Sequence, residues 1–222
     1  TQGVSSAASD VYKRQGQYRH LEREIMKSRL TTRDLVTVAI FAVIFFVAFY
    51  ACGMIGFAGP AFMFVGWILG ILLGGIIVML SMARVPKMGA LTITGLLVGL
   101  GMMPGHTIWM IPAGLVLGFI ADLVTTNAGR NVRLDPRRAS LGYAVFTLWV
   151  VAPLIPMVVN ADKYYAMITK QMGADYSNKM RALFTPGLVA GWAVAVFLLG
   201  LLGGWLGIKV GRKHFRRAGL TK

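Results

Sequence analysis

Acidic side chains are scarce in this chain: eight Asp and Glu stand against 23 Lys and Arg among 222 residues, and charged residues total 14%. Ordinary soluble domains carry roughly 25% charge, so this composition excludes a soluble globule. A single cysteine, Cys52, excludes a disulfide framework and a cysteine-built zinc site, and its apolar surroundings read as those of a packed small residue. The three histidines, His20, His106 and His214, lie far apart and form no H-E-x-x-H pair, which argues against a membrane metalloenzyme. There is no G-x-x-x-x-G-K-[ST] loop to cradle phosphates and no G-x-S-x-G elbow. The chain is therefore not expected to be an enzyme, to hydrolyse ATP itself or to hold a metal or cofactor. The net charge of +15 does not indicate nucleic acid. Its basic residues sit in short runs between long uncharged stretches, not on one face interleaved with aromatics.

Apolar sequence is abundant. Hydrophobic residues make up 56% of the chain and mean hydropathy is +0.66. From Leu35 to Ala83 there are 49 residues without Asp, Glu, Lys or Arg. As one continuous helix they would run about 74 Å, against a hydrocarbon core of roughly 30 Å. That length holds two crossings, Leu35 to Met54 and Ala61 to Met82, parted where Gly53, Gly56, Gly59 and Pro60 cluster. Met88 to Ala121 is uncharged over 34 residues and breaks at Pro104-Gly105, giving spans three and four. Ala139 to Ala161 and Ala182 to Ile208 supply the fifth and sixth. Strand alternation is absent, so the expected fold is all-α, a compact multi-pass bundle of six transmembrane helices.

Orientation follows from the basic residues, which are retained in the cytoplasm. With the start inside, fifteen Lys and Arg fall on inner segments, including Arg33, Arg84, Lys87, Arg130 and Arg133, and four on the outer side. Both termini are expected to be cytoplasmic, in a cell membrane. The first 25 residues form a separate case. Val4 to Gln15 resembles a translated adapter, and Met26-Lys27-Ser28-Arg29-Leu30 reads as a natural start. Residues 1–25 are expected to be foreign or disordered, and 26–222 to form the membrane domain.

Within the spans the acid is Asp122, near the inner end of span four, where Arg84, Lys87 or Arg130 could pair with it. Structural pairing is the favoured reading over a proton relay. Glycines recur at helical spacing, above all Gly66, Gly70 and Gly74 on one face of span two. Such faces let backbones approach closely inside lipid. Most glycines read as internal packing of the bundle, and the triple-glycine strip reads as the best candidate for contact with another protein. Scattered methionines such as Met102, Met103 and Met110 read as gap fillers in preference to a copper site.

Aromatic and polar groups gather on the outer side: His106 and Trp109 in the turn after Pro104-Gly105, Trp149 and Asn160 on the outer half of span five, then Tyr164 in the following loop. Aromatic walls with a few polar anchors suit a small molecule. The competing reading is the interfacial aromatic belt, favoured for Trp67, Trp192 and Trp205. On the site reading His106, Trp109, Trp149, Asn160 and Tyr164 line the pocket and the loop from Asn160 to Arg181 caps it. A vitamin-like organic nutrient suits this lining better than a metal ion, which would want more Asp, Glu, His or Cys.

The entry Leu30-Thr31-Thr32-Arg33-Asp34-Leu35, the turn Ala83-Arg84-Val85-Pro86-Lys87, the turn Gly105-His106 with Trp109, and Gly118-Phe119-Ile120-Ala121-Asp122-Leu123 together resemble a known group. So do Ser140 to Trp149 and the closing Gly211-Arg212-Lys213-His214-Phe215. These stretches, in this order, resemble the substrate-binding S components of energy-coupling factor transporters, and within them the Trep_Strep, or MptD-like, family. The resemblance implies a six-helix subunit that captures a micronutrient outside and delivers it with a coupling membrane subunit and two ABC-type ATPases. It further implies docking through small-residue faces of the first three helices. Where S components often carry A-x-x-x-A in the first helix, this chain offers Ala39, Ala42 and Ala48, so only the small-residue character transfers. Ala39, Ala42, Gly66, Gly70 and Gly74 are then the expected partner interface. The alternative function is an autonomous small membrane carrier or channel.

Overall fold

A computed structural model describes residues 29–126 and 135–217. Among these residues the chain is helical, without strands: α1 (Thr32–Gly53), α2 (Phe62–Arg84), α3 (Ala90–Met102), α4 (Met110–Thr125), α5 (Pro136–Thr147), α6 (Ala161–Met172), α7 (Ala174–Leu183) and α8 (Pro186–Arg217). α5 continues through a 3₁₀ segment, Leu148–Leu154, and a final turn, Ile155–Val159. The expected leader 1–25, and Arg130 and Arg133, lie outside the described residues.

Local chemistry sets the helix ends. Thr31 caps α1 in a reciprocal box: its hydroxyl accepts from the Asp34 N–H at 3.3 Å, and Asp34 Oδ2 accepts from the Thr31 N–H at 2.8 Å. α1 then runs apolar to Gly53 and tightens into a 3₁₀ turn, Met54–Ala58. Gly59 at φ 150° and Pro60 finish the break foreseen there. Asp135 caps α5 by accepting from the Arg137 N–H at 3.1 Å, with Pro136 at the first helical position. Pro153 cannot donate to a helical ladder and sits where α5 tightens to 3₁₀.

The six longer apolar helices form a closed ring. α1 packs on α2 and α3, α3 on α4, α4 on α5, α5 on α8, and α8 returns to α2. Two seams rest on backbone-to-backbone approach. A methyl at Gly95 would strike the carbonyl of Gly114 across α3 and α4, and one at Gly75 would strike the backbone of Gly203 across α2 and α8. The ring is filled by Phe45, Tyr143 and Phe146, each at most 1% exposed. Phe45 meets Phe146 edge-on with centroids 5.8 Å apart. The Tyr143 hydroxyl donates to the Ile71 carbonyl at 2.6 Å, which satisfies its polar end inside the core.

Four stretches are long and apolar enough to cross a membrane: Thr32–Ala58, Phe62–Arg84, Pro136–Val159 and Pro186–Arg212. α3 and α4 are apolar but have 13 and 16 residues, about 20 and 24 Å as helix. Outward faces carry large apolar side chains. Val36, Ile40, Val43 and Val47 on α1 and Val194 and Leu198 on α8 are each more than half exposed, as expected of surfaces solvated by hydrocarbon.

The strip Gly66, Gly70, Gly74 is not a free face. A side chain at Gly66 would meet the Cys52 carbonyl, at Gly70 the Phe49 ring, and at Gly74 the Phe45 ring and the Tyr143 hydroxyl. These glycines let α1 and the aromatic core lie against α2. Ala42 is likewise interior, 1% exposed, whereas Ala39 is half-buried. Asp122 meets backbone amides, and among the described residues no cation pairs with it. Its carboxylate reaches the start of α3 and accepts from the N–H groups of Gly89 at 3.0 Å, Leu91 at 3.2 Å and Thr92 at 2.8 Å, and from the Thr92 hydroxyl at 2.6 Å. Gly89, at φ 96°, makes the turn that presents these donors. Lys87 instead pairs with Asp34 at 2.7 Å and donates to the Arg29 carbonyl at 3.1 Å, tying the entry of α1 to the exit of α2.

Candidate ligand cavity

At the end of the ring opposite Arg33, Arg84 and Lys87, the α3–α4 turn and helices α6 and α7 enclose a cavity of about 440 Å³. This size lies within the range of small-molecule sites. Its walls come from five places. The end of α1 and the 3₁₀ turn beyond it bring Phe49, Tyr50, Met54 and Phe57; α2 brings Met63 and Trp67; the α3–α4 turn brings Met102 and His106. The tightened part of α5 gives Trp149 and Pro153, and the cap gives Tyr164, Gln171, Met172, Tyr176 and Met180.

The cap is held by specific bonds. The Tyr176 hydroxyl donates to the Gly56 carbonyl at 3.2 Å, fastening α7 to the turn after α1. Ser177 Oγ donates to the Tyr165 carbonyl at 3.0 Å, joining α7 to α6. Arg181 pairs with Asp162 at 2.6 Å and lies over the Tyr165 ring at 5.4 Å, on the exposed side. Below the hinge to α8, Phe64, Trp67, Phe184 and Trp192 form one aromatic cluster, with Phe64 and Trp192 centroids 4.7 Å apart.

Among the described residues that line the cavity there is no Asp, Glu, Lys or Arg. The polar groups are a histidine, a glutamine, tyrosines and indole N–H groups. Burial raises the phenol pKa values of Tyr164 and Tyr176 above 10, so both remain neutral donors. Desolvation at the cavity wall lowers the His106 pKa from the usual imidazole value, which favours the neutral ring. Its Nδ1 lies 3.2 Å from the Met102 carbonyl. Trp149 is 3% exposed and tilts against Phe49 at 4.9 Å, and its buried Nε1–H has no hydrogen-bond partner.

Of the residues expected at the site, His106, Trp149 and Tyr164 come together on the cavity wall. Trp109, 60% exposed, and Asn160, at the junction of α5 and α6, lie outside the lining. The expected capping loop is in place as two helices. Sequence reasoning missed the contribution of α1 and α2. Phe49 and Tyr50 sit in an unbroken apolar run, and Trp67 reads equally well as packing or belt. Met102, read as a gap filler, also lines the wall. The signal for Ile168 and Met172 was an apolar face at helical spacing in a segment otherwise polar.

Among the described residues no group of three His, Cys, Asp or Glu side chains is arranged to hold a metal. The model of a family described as "hypothetical bacterial integral membrane protein (Trep_Strep)" matches residues 32–217, which takes in the whole ring, the cavity and its cap. No curated protein and no solved structure matches the chain.

Proposed function

The chain belongs to the Trep_Strep family of bacterial integral membrane proteins, and from that premise we propose that it is the substrate-binding S component of an energy-coupling factor importer. The observation that carries this reading is the uncharged 440 Å³ cavity under a helical cap, with a buried indole N–H left without a partner. The sequence carries no phosphate-binding loop to drive transport with ATP, which suits a division of capture and drive between subunits. In this reading all six ring helices cross the cytoplasmic membrane, both termini lie inside, and the cavity opens outward. A coupling membrane subunit and two ABC-type ATPases supply the stroke. Contact with the coupling subunit falls on outward faces, such as the Val36, Ile40, Val43 and Val47 stripe of α1, because Ala42, Gly66, Gly70 and Gly74 are engaged inside the protein.

The test is affinity purification of the chain in mild detergent from a bacterium coexpressing candidate transport genes. Two ATPases and one larger membrane protein, retained in fixed proportion, are the expected result. Isolation of the chain alone, under conditions that preserve a known assembly of this type, would refute it. Energy-independent flux through the chain in liposomes would point to an autonomous carrier instead.

A further inference from the structure

We infer that the cavity takes an electrically neutral, mainly aromatic small molecule that presents a hydrogen-bond acceptor to the indole N–H of Trp149. The inference rests on the cavity being the capture site and adds the chemistry of what is captured.

Charge is the first constraint. A carboxylate, phosphate or ammonium buried among these walls would meet no opposite charge from the described lining residues, which include no Asp, Glu, Lys or Arg. Burying an unpaired ion costs far more than a hydrophobic contact returns. The basic side chains of the cap do not repair this. Arg181 pairs with Asp162 and Lys179 with Asp175 on the exposed surface, and Lys163 and Lys170 are exposed and outside the lining.

Hydrogen bonding is the second. An indole N–H can only donate, and a buried donor without a partner is rare in folded proteins because it forfeits its bond to water. Trp192 Nε1 and the Tyr165 hydroxyl are also unpartnered, but neither residue lines the cavity. Trp149 does; its Nε1 is closed to water, so a small turn of the ring toward the cavity would bring the N–H to an acceptor on the ligand and restore the missing bond. Shape and polarisability are the third constraint. Phe49, Trp67 and Trp149 offer ring faces and edges, and Met54, Met63 and Met102 offer thioethers, which adapt to flat aromatic partners.

The experiment is equilibrium dialysis of the full chain in lipid nanodiscs, with protein-free nanodiscs as blank, against three probes of similar ring size. 1-Methyl-2-quinolone is neutral with one carbonyl acceptor, 2-naphthoate is an anion, and naphthalene has no acceptor. The quinolone is expected to bind roughly tenfold or more tightly than the naphthoate. Trp149→Phe keeps a ring but removes the N–H; it should weaken the quinolone roughly five- to tenfold and leave naphthalene unchanged. Naphthoate binding as tightly as the quinolone would overturn the inference, as would an unchanged quinolone affinity in W149F, or no binding of any probe. The assay needs no ATPase. The expected ranking from a chain that purifies alone would refute the importer reading and keep the ligand class; an intact assembly with the wrong ranking would do the reverse.

Discussion

Removing the Asp122 carboxylate should unseat the start of α3, and the structure gives the size of the effect. Asp122 is 1% exposed and accepts four hydrogen bonds, three of them from backbone N–H groups at the helix N-terminus. Loss of a capping side chain costs about 0.5–2 kcal/mol. Each buried donor left unpaired adds about 1–3 kcal/mol, less where water can enter. One water-sized space adjoins the site, between Lys87, Ala90 and Asp122, so solvent relieves part of the loss and about 3 kcal/mol is expected for Asp122→Ala. For a domain of this length that corresponds to a fall of roughly 6–12 °C in melting temperature. Asp122→Asn keeps one acceptor oxygen but turns an NH₂ toward the amides, and should fall about half as far. The assay is thermal unfolding of purified protein in nanodiscs, together with hydrogen exchange across residues 88–93. Faster exchange confined to that segment is the local signature. A shift under about 2 °C for Asp122→Ala, with exchange there unchanged, would refute the capping role.

Two further perturbations follow from the same packing. Lys87→Met and Asp34→Asn remove the two ends of a partly buried ion pair. A double-mutant cycle on unfolding should give a coupling of about 1 kcal/mol, and strictly additive effects would dismiss the pair as a tie between α1 and α2. Gly95→Ala should lower the melting temperature by several degrees because the methyl meets the Gly114 carbonyl, whereas Gly191→Ala, with open space around it, should leave it unchanged or raise it. Equal effects at the two positions would show that the α3–α4 seam tolerates separation.

The helices of the ring were legible because long uncharged runs mark them, and because Gly53 to Pro60 and Pro104-Gly105 interrupt those runs with residues that do not readily continue a helix. What one sequence could not disclose was which side of a helix meets which neighbour. Gly66, Gly70 and Gly74 look like a smooth outer strip until Phe45, Phe49 and Tyr143 are seen to fill it. Asp122 invited a cation because charge pairing has a sequence signature; three backbone amides at a helix start have none. At the site, His106, Trp149 and Tyr164 stood out as polar or aromatic residues near the ends of apolar runs. Phe49 and Trp67 did not, since an aromatic ring inside such a run carries no mark of whether it faces lipid, core or cavity.

The aromatic filling of the ring bears on kinetics. Beyond Phe49 and Trp149 on the cavity wall come Phe45, Phe146 and Tyr143, packed ring on ring and closed to solvent. On the side facing the ring the cavity is therefore floored by packed aromatic side chains. Exchange of a ligand across that floor would require the packed rings to part, which makes it slower than exchange past α6 and α7, held to the turn after α1 by the Tyr176 hydroxyl.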